Sequence, residues 1–216
     1  MLFTAQEEAA ILERSGLIAP PATRYFSSKH VDMLREMYAT PRRYYHTWQH
    51  ALNVLAWANR ACDAQGLMID DTAAVKIAAL FHDCVYDAEG SPSNEERSAA
   101  WLAGIEHPAI RKAQRMILAT SQHGKLEAED VDLPTAILLD CDMVTFAEPL
   151  WEVALQNDDN ILAELRERYT EEQIRVGRTA FLNGLLQKRS VFLSPWFRER
   201  FEAQARANIA RFIERL

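Results

Sequence analysis

His82 and Asp83 stand side by side at the end of an apolar run, Val75-Lys76-Ile77-Ala78-Ala79-Leu80-Phe81. An imidazole nitrogen and a carboxylate oxygen beside apolar residues suit a divalent transition metal, for which both are good ligands. Groups of the same chemistry flank the pair. His46 and His50 lie upstream in Tyr45-His46-Thr47-Trp48-Gln49-His50, and Asp140 and Asp142 lie downstream in Ile137-Leu138-Leu139-Asp140-Cys141-Asp142-Met143-Val144. HxxxH spacing puts both imidazoles on one face of a helix. It is not the zincin motif, which needs a glutamate directly after the first histidine as general base; Thr47 stands there. His50, His82, Asp83 and one of Asp140 or Asp142 offer two nitrogens and two carboxylate oxygens. On a six-coordinate ion they leave room for water and a substrate oxygen, the arrangement that activates water for hydrolysis. Without a metal, His82 and Asp83 also suit a buried hydrogen-bonded pair, and His46 suits a capping role.

These residues are separated by up to about a hundred positions, so helices must carry them together. Thr4-Ala5-Gln6-Glu7 is a capping box opening a helix that stops at Gly16. Ser27 or Ser28 caps a second, with Val31, Leu34 and Tyr38 on one face and Pro41 beyond it. A third is expected from about Thr47 to Ala64, with Gly66 after it. The fourth begins near Asp71 or Thr72 and aligns Val75, Ala78, Ala79 and His82 on the face that it buries. Ser93-Asn94-Glu95-Glu96 caps a fifth, running through Trp101 and Leu102. Pro108 starts a sixth, reaching about His123 before Gly124. Pro134 starts a seventh, carrying Asp140 and Asp142. Three amphipathic stretches follow, from about Leu150 to Arg168, Thr170 to Lys188 and Pro195 onward. Alternating β-branched runs are missing, so the expected fold is all-α, a bundle of about eight to ten helices.

Composition bounds the function. The chain has 216 residues, 49% of them hydrophobic, enough for one sizeable core. A net charge of −7 argues against a nucleic-acid polymer as partner, because such binding depends on neutralising phosphates with Lys and Arg. Cys62, Cys84 and Cys141 show no CxxC spacing, which fits a reducing cytoplasm, and each reads as a small buried apolar residue rather than a reactive thiol. No apolar run approaches the roughly 20 residues needed to span a membrane, and the first residues lack a basic segment followed by an apolar one. We expect no membrane association. A homo-oligomer is compatible with the sequence.

Tyr45 to His50, Phe81-His82-Asp83-Cys84-Val85-Tyr86-Asp87, Asn94-Glu95-Glu96-Arg97-Ser98-Ala99 and Leu138-Leu139-Asp140-Cys141-Asp142 together resemble the HD-domain superfamily of metal-dependent phosphohydrolases, and within it a bacterial branch of predicted hydrolases. The pattern extends to Ala205-Arg206-Ala207-Asn208, so the resemblance covers about residues 40 to 216. It implies an HD-type, phosphodiesterase-like helical bundle. One domain over 1–216 is expected, with helices of 1–40 packing on a metal-site core, 41–145, followed by C-terminal helices, 146–216.

The resemblance further implies that His50, His82, Asp83 and a later aspartate bind a divalent ion, with Mn, Mg, Fe, Co, Ni and Zn not distinguished. Asp142 is the first choice, since it follows a small residue and precedes a bulky apolar one; Asp140 is the alternate. Asp87 or Glu95 is expected to position or deprotonate the attacking water. Glu95 also suits the dipole at a helix start, and Glu96 reads as the capping-box partner. His46 and His123 are candidates for phosphate contact, leaving-group protonation or a second metal, while His123 before Gly124 also suits a helix C-terminus. The implied activity is hydrolysis of a small phosphoester, a nucleotide among the candidates. A non-catalytic metal- or nucleotide-binding regulator and a di-iron HD-type oxygenase are the alternatives.

The chain departs from the branch pattern in two places. Val144-Thr145-Phe146-Ala147 replaces a small-residue turn with glycine, and Gly177-Arg178 stands where an acidic and an aromatic residue are usual. Arg175 and Arg178 can bind phosphate or pair with Glu171 and Glu172 on a solvated face. Trp48, Trp57, Trp101, Trp151 and Trp196 are spread along the chain and read as core packing rather than base recognition.

Overall fold

The computed structural model describes residues 2–17, 27–86, 91–103, 105 and 108–216. Among them are ten α-helices and no strand: α1 Ala5–Ser15, α2 Ser28–Tyr38, α3 Trp48–Ala64, α4 Ile69–Phe81, α5 Asn94–Ala100, α6 Pro108–Thr120, α7 Leu133–Met143, α8 Trp151–Arg166, α9 Glu171–Gln187 and α10 Pro195–Arg215. The fold is all-α, as the periodicity requires. Capping boxes at Thr4/Glu7, Ser93/Glu96 and Thr170/Gln173 start three of the helices, each satisfying backbone N–H groups that a first turn leaves open. Gly16 closes α1 with φ of 69°, a conformation in which a side chain would be strained.

The centre of the bundle is α4. Every residue from Ala73 to Phe81 is buried, so this helix is enclosed on all sides rather than amphipathic. It packs against α3, α6 and α7, and α3 packs in turn on α1, α2 and α7. One main buried cluster runs from Leu12 to Phe212 through all these helices, and Ala136, Leu139 and Leu193 form a small second one. At the far end, α9 packs on α10, and α10 on the 3-10 turn Val144–Ala147 that follows α7. That turn is the Val144-Thr145-Phe146-Ala147 segment; its tight helical geometry makes the reversal without a glycine. Asn208 fixes it, its Nδ2 donating to the carbonyls of Phe146 at 2.9 Å and Glu148 at 2.8 Å.

Several details differ from the sequence expectation. α3 begins at Trp48, so His46 precedes the helix and does not share a helical face with His50, and α6 ends at Thr120, short of His123. α4 begins at Ile69, ahead of Asp71: Asp70 and Asp71 lie inside its first turn, where their charge favours the dipole. α5 ends at Ala100, because Trp101, Leu102 and Ala103 bond three residues back, to Ser98, Ala99 and Ala100, tightening the chain out of the α-helix. Leu102 takes the buried position there and Trp101 faces outward, 49% exposed, so that tryptophan is not core. No described helix is long and apolar enough to cross a membrane.

Candidate metal centre

The ends of α4 and α7 meet the start of α3. His82 sits one residue past the last residue of α4 but keeps helical geometry, its N–H bonding to the Ala78 carbonyl at 2.8 Å. It therefore stays on the face of Ala78 and Ala79 and is buried. His50 is the third residue of α3 and Asp142 the tenth of α7. One ligand atom from each of His50, His82, Asp83 and Asp142 lies within 4.8 Å of all the others, so the four form a group able to hold a metal ion.

The separations suit such an ion. His50 Nε2 lies 3.0 Å from Asp142 Oδ1 and 3.2 Å from His82 Nε2. His82 Nε2 lies 3.1 Å from Asp83 Oδ2 and 3.5 Å from Asp142 Oδ1, and His50 Nε2 lies 3.7 Å from Asp83 Oδ2. Donors about 2.1 Å from a shared ion stand about 3.0 Å apart in octahedral and about 3.4 Å apart in tetrahedral coordination. Two imidazole nitrogens facing each other at 3.2 Å need a proton or a cation between them.

The surroundings orient these donors. His82 Nδ1 donates to the Ala79 carbonyl at 3.0 Å, which leaves Nε2 as the ligating nitrogen. Asp142 turns Oδ1 to the two histidines and Oδ2 to His123 Nε2, 2.8 Å away. His123 therefore holds the orientation of Asp142 from the turn after α6. Asp140 faces elsewhere. Its two oxygens accept the backbone N–H groups of Leu193 and Ser194, both at 2.7 Å, fixing the chain where it enters α10. Burial pushes Asp140 up to about 7, with those two N–H groups pulling the other way. Asp142, not Asp140, belongs to the four-residue group.

His46 stands at the rim, Nε2 3.8 Å from Asp83 Oδ2. Its Nδ1 is 2.5 Å from Oε2 of Glu164, a buried residue of α8. The other oxygen of Glu164 accepts the backbone N–H groups of Tyr44, Tyr45 and His46 at 2.7, 2.7 and 2.9 Å. A single carboxylate thus gathers the turn before α3 and sets the His46 ring, on which Tyr86 stacks at 4.1 Å. Arg43 ties this turn to the His82-Asp83 corner. Its guanidinium donates to the carbonyls of His46, Asp83 and Cys84 at 2.9, 2.7 and 3.0 Å. Glu164 and Arg43 were not singled out by sequence reasoning. Glu164 lies among other acidic residues of an amphipathic helix, and its partners are 118 to 120 positions away.

The electrostatics follow from burial set against charge. Burial opposes protonation of His82, but Asp83 and Asp142 outweigh it and hold His82 well above the usual imidazole range. For His46, burial is likewise outweighed by Asp83 and Glu164, and its pKa is raised. His50 goes the other way: burial dominates over Asp142, and its pKa is lowered. Burial would raise Asp83 and Asp142, yet the facing histidines hold both below the usual carboxylate range. The centre is thus built to keep two carboxylates ionised against a cation.

The remaining candidates are placed as follows. Glu95 is the second residue of α5, half-buried, and is not in the four-residue group. Asp87 lies outside the described residues. Glu96 fills the capping-box role, its Oε2 accepting the Ser93 N–H at 2.7 Å. Arg175 pairs with Glu172 on an exposed face. Arg178 does not pair with Glu171 or Glu172 on a solvated face. It is turned inward onto Asp158 at 2.5 Å, its side chain 9% exposed, with the ring of Phe146 beneath it. All three cysteines are free and buried, and burial raises Cys62 and Cys84 to about 12, so none offers a thiolate. No protein-family model, curated protein or solved structure matches the chain.

Proposed function

We propose that the protein is a metal-dependent phosphohydrolase acting on a small phosphoester. The observation that carries the reading is the convergence of His50, His82, Asp83 and Asp142, two nitrogens and two carboxylates, with His82 Nδ1 tied to the Ala79 carbonyl and Asp142 Oδ2 to His123. Four donors of this kind fit a divalent ion and leave coordination positions free, as a catalytic rather than a purely structural site does. When bound, the ion supplies Lewis acidity, polarising a phosphoryl oxygen and lowering the pKa of water.

The protein's own residues then have distinct tasks. His50, His82, Asp83 and Asp142 bind the ion, and His123 keeps the Asp142 carboxylate in register. His46, held by Glu164 and kept basic by Asp83, is the cation that meets a phosphoryl oxygen and gives a proton to the leaving oxygen. Asp87 and Glu95 remain the candidates for orienting the attacking water, on the resemblance alone. Metal analysis of the wild type and His82→Ala, with a screen of phosphoesters under each divalent metal, tests the reading. The expected result is loss of metal and turnover in the variant with helix content kept. Full metal and turnover in His82→Ala would overturn it, and nucleotide binding without turnover under every metal would favour a regulator.

A further inference from the structure

An open groove of about 510 Å³ runs between α5 and α6, and none of the metal donors lines it. Gln114 of α6 fixes its walls, its Nε2 donating to the Ala99 carbonyl of α5 at 3.1 Å. Ala99, Ala100 and Leu118 make the groove apolar, and Arg111 and Arg115, one helical turn apart and both exposed, supply its positive charge. Glu96, its one acidic lining residue, has its carboxylate on the Ser93 N–H. Of the three cations on α6, only Lys112 makes an ion pair among the described residues, with Asp71 at 2.5 Å. The chain has 31 acids against 24 Lys and Arg, so two neighbouring arginines without a carboxylate mark a place that can receive one from outside.

The complementary surface is on the same chain. Met68 and Ile69, where α4 begins, are 73% and 80% exposed, the one pair of adjacent large apolar side chains so exposed among the described residues. Single exposed apolar side chains are ordinary, whereas adjoining ones rimmed by polar groups mark an interaction surface. Asp70 and Asp71 follow in the first turn of α4. Lys112 takes Asp71, and Asp70 makes no ion pair among the described residues. Because Lys112 is the neighbour of Arg111 on α6, its bond to Asp71 sets the apolar, acidic start of α4 and the cationic groove on two sides of one helix. A two-fold interface uses such a surface: each copy offers both halves, and every contact is made twice. The signs agree, with two cations against Glu96 in the groove and an acid left over from Lys112 at the start of α4.

We infer that two copies of this chain associate through this face, Met68 and Ile69 of one copy entering the α5–α6 groove of the other and Asp70 meeting Arg111 and Arg115, with the same contacts repeated in the reverse direction. The inference does not depend on the metal centre or on the phosphohydrolase reading. Sedimentation velocity and light scattering of the full chain over a range of concentrations test it, with circular dichroism checking the fold of each variant. Wild type should form a dimer. Asp70→Lys and Arg111→Glu/Arg115→Glu each turn attraction into repulsion at two symmetric places, so each should weaken the dimer roughly tenfold or more. Ile69→Ser, which keeps the charges, should weaken it as well. An equimolar mixture of the two charge variants should dimerise again, because every groove then faces a charge of the opposite sign. A wild type that is monomeric at every concentration overturns the inference and leaves the groove to a foreign acidic partner. An oligomer unmoved by the charge reversals or by Ile69→Ser overturns it too, since the contact then lies elsewhere. So does a mixture of folded charge variants that stays monomeric, which would show that the two patches do not meet.

Discussion

Glu164 offers the sharpest test of how the centre is assembled, because one side chain accepts four hydrogen bonds. Three come from consecutive backbone N–H groups and the fourth from His46. Glu164→Ala leaves all four donors without that partner in a part-buried place. At about 1–3 kcal/mol for each unsatisfied donor, the loss is on the order of 4 kcal/mol or more, a large part of the roughly 5–15 kcal/mol that holds a domain folded. Glu164→Gln is milder. Its carbonyl oxygen still serves the three backbone N–H groups, but its NH₂ faces His46 Nδ1. The charge-assisted bond becomes a neutral one, at a cost of about 1–2 kcal/mol, and the imidazole must carry its proton on Nε2.

At roughly 2–4 °C per kcal/mol for a chain of this size, Glu164→Gln should melt about 2–8 °C below wild type and Glu164→Ala far lower. The sign with pH is fixed. Glu164 is lowered from an ordinary 4.5, against burial, by its bonds to His46 and to the backbone of His46 and Tyr45, so its contribution is full above that value and fades as pH falls through the folded value. His46 is raised from an ordinary 6.5, so its contribution is full below that value and fades as pH rises through the folded value. The wild-type advantage over Glu164→Gln should therefore be widest between about pH 4.5 and 6.5. Thermal unfolding followed by circular dichroism in chelator, from about pH 4 to 8, measures it. A Glu164→Ala variant melting within about 2 °C of wild type, or a Glu164→Gln gap that does not change with pH, would refute the assignment.

Other outcomes follow from the same geometry. Asp142→Asn should lose bound metal, whereas Asp140→Asn should keep it and unfold about 1–3 kcal/mol more easily, because the Asp140 oxygens accept the N–H groups of Leu193 and Ser194 and lie outside the four-residue group; metal analysis and urea titration separate the two. Metal uptake should release a proton and strengthen up to about tenfold per pH unit above 6.5, until the folded pKa of His82 is passed, since His82 is held well above its ordinary value and must be neutral to ligate; calorimetry in buffers of different ionisation enthalpy reads the proton. Arg178→Met should destabilise the chain by about 3 kcal/mol by leaving Asp158 with only Arg215 at 3.4 Å. It should leave KM for a phosphoester unchanged, and a raised KM would put Arg178 back among the phosphate contacts.

What the sequence made legible was local. Thr4, Ser93 and Thr170 announce helix starts because a cap and its partner are three residues apart. His82 was aimed inward by spacing from Ala78 and Ala79 alone. Asp140 against Asp142 was harder, since both sit on a helix buried nearly throughout, where no polar face indicates direction; only Leu193 and Ser194, more than fifty positions on, draw Asp140 away. The inward turn of Arg178 was illegible for a related reason. On α9 it follows exposed Arg175 and Gly177, and nothing nearby signals the buried Asp158 that turns it inward.

This division has a physical basis. Metal donors sit in short local motifs, because a helix end or a corner can present a histidine and a carboxylate together. The groups that hold those donors still are long-range single residues, Glu164 on the turn before α3, Arg43 on the His82-Asp83 corner and Asn208 on the 3-10 turn. Each works by satisfying several backbone groups at once, so each leaves no periodicity and no motif of its own. Two of the segments that they hold, the turn before α3 and the 3-10 turn after α7, also line a cavity beside His50. The same polar ties that hold the candidate metal donors therefore also set the shape of the space beside them.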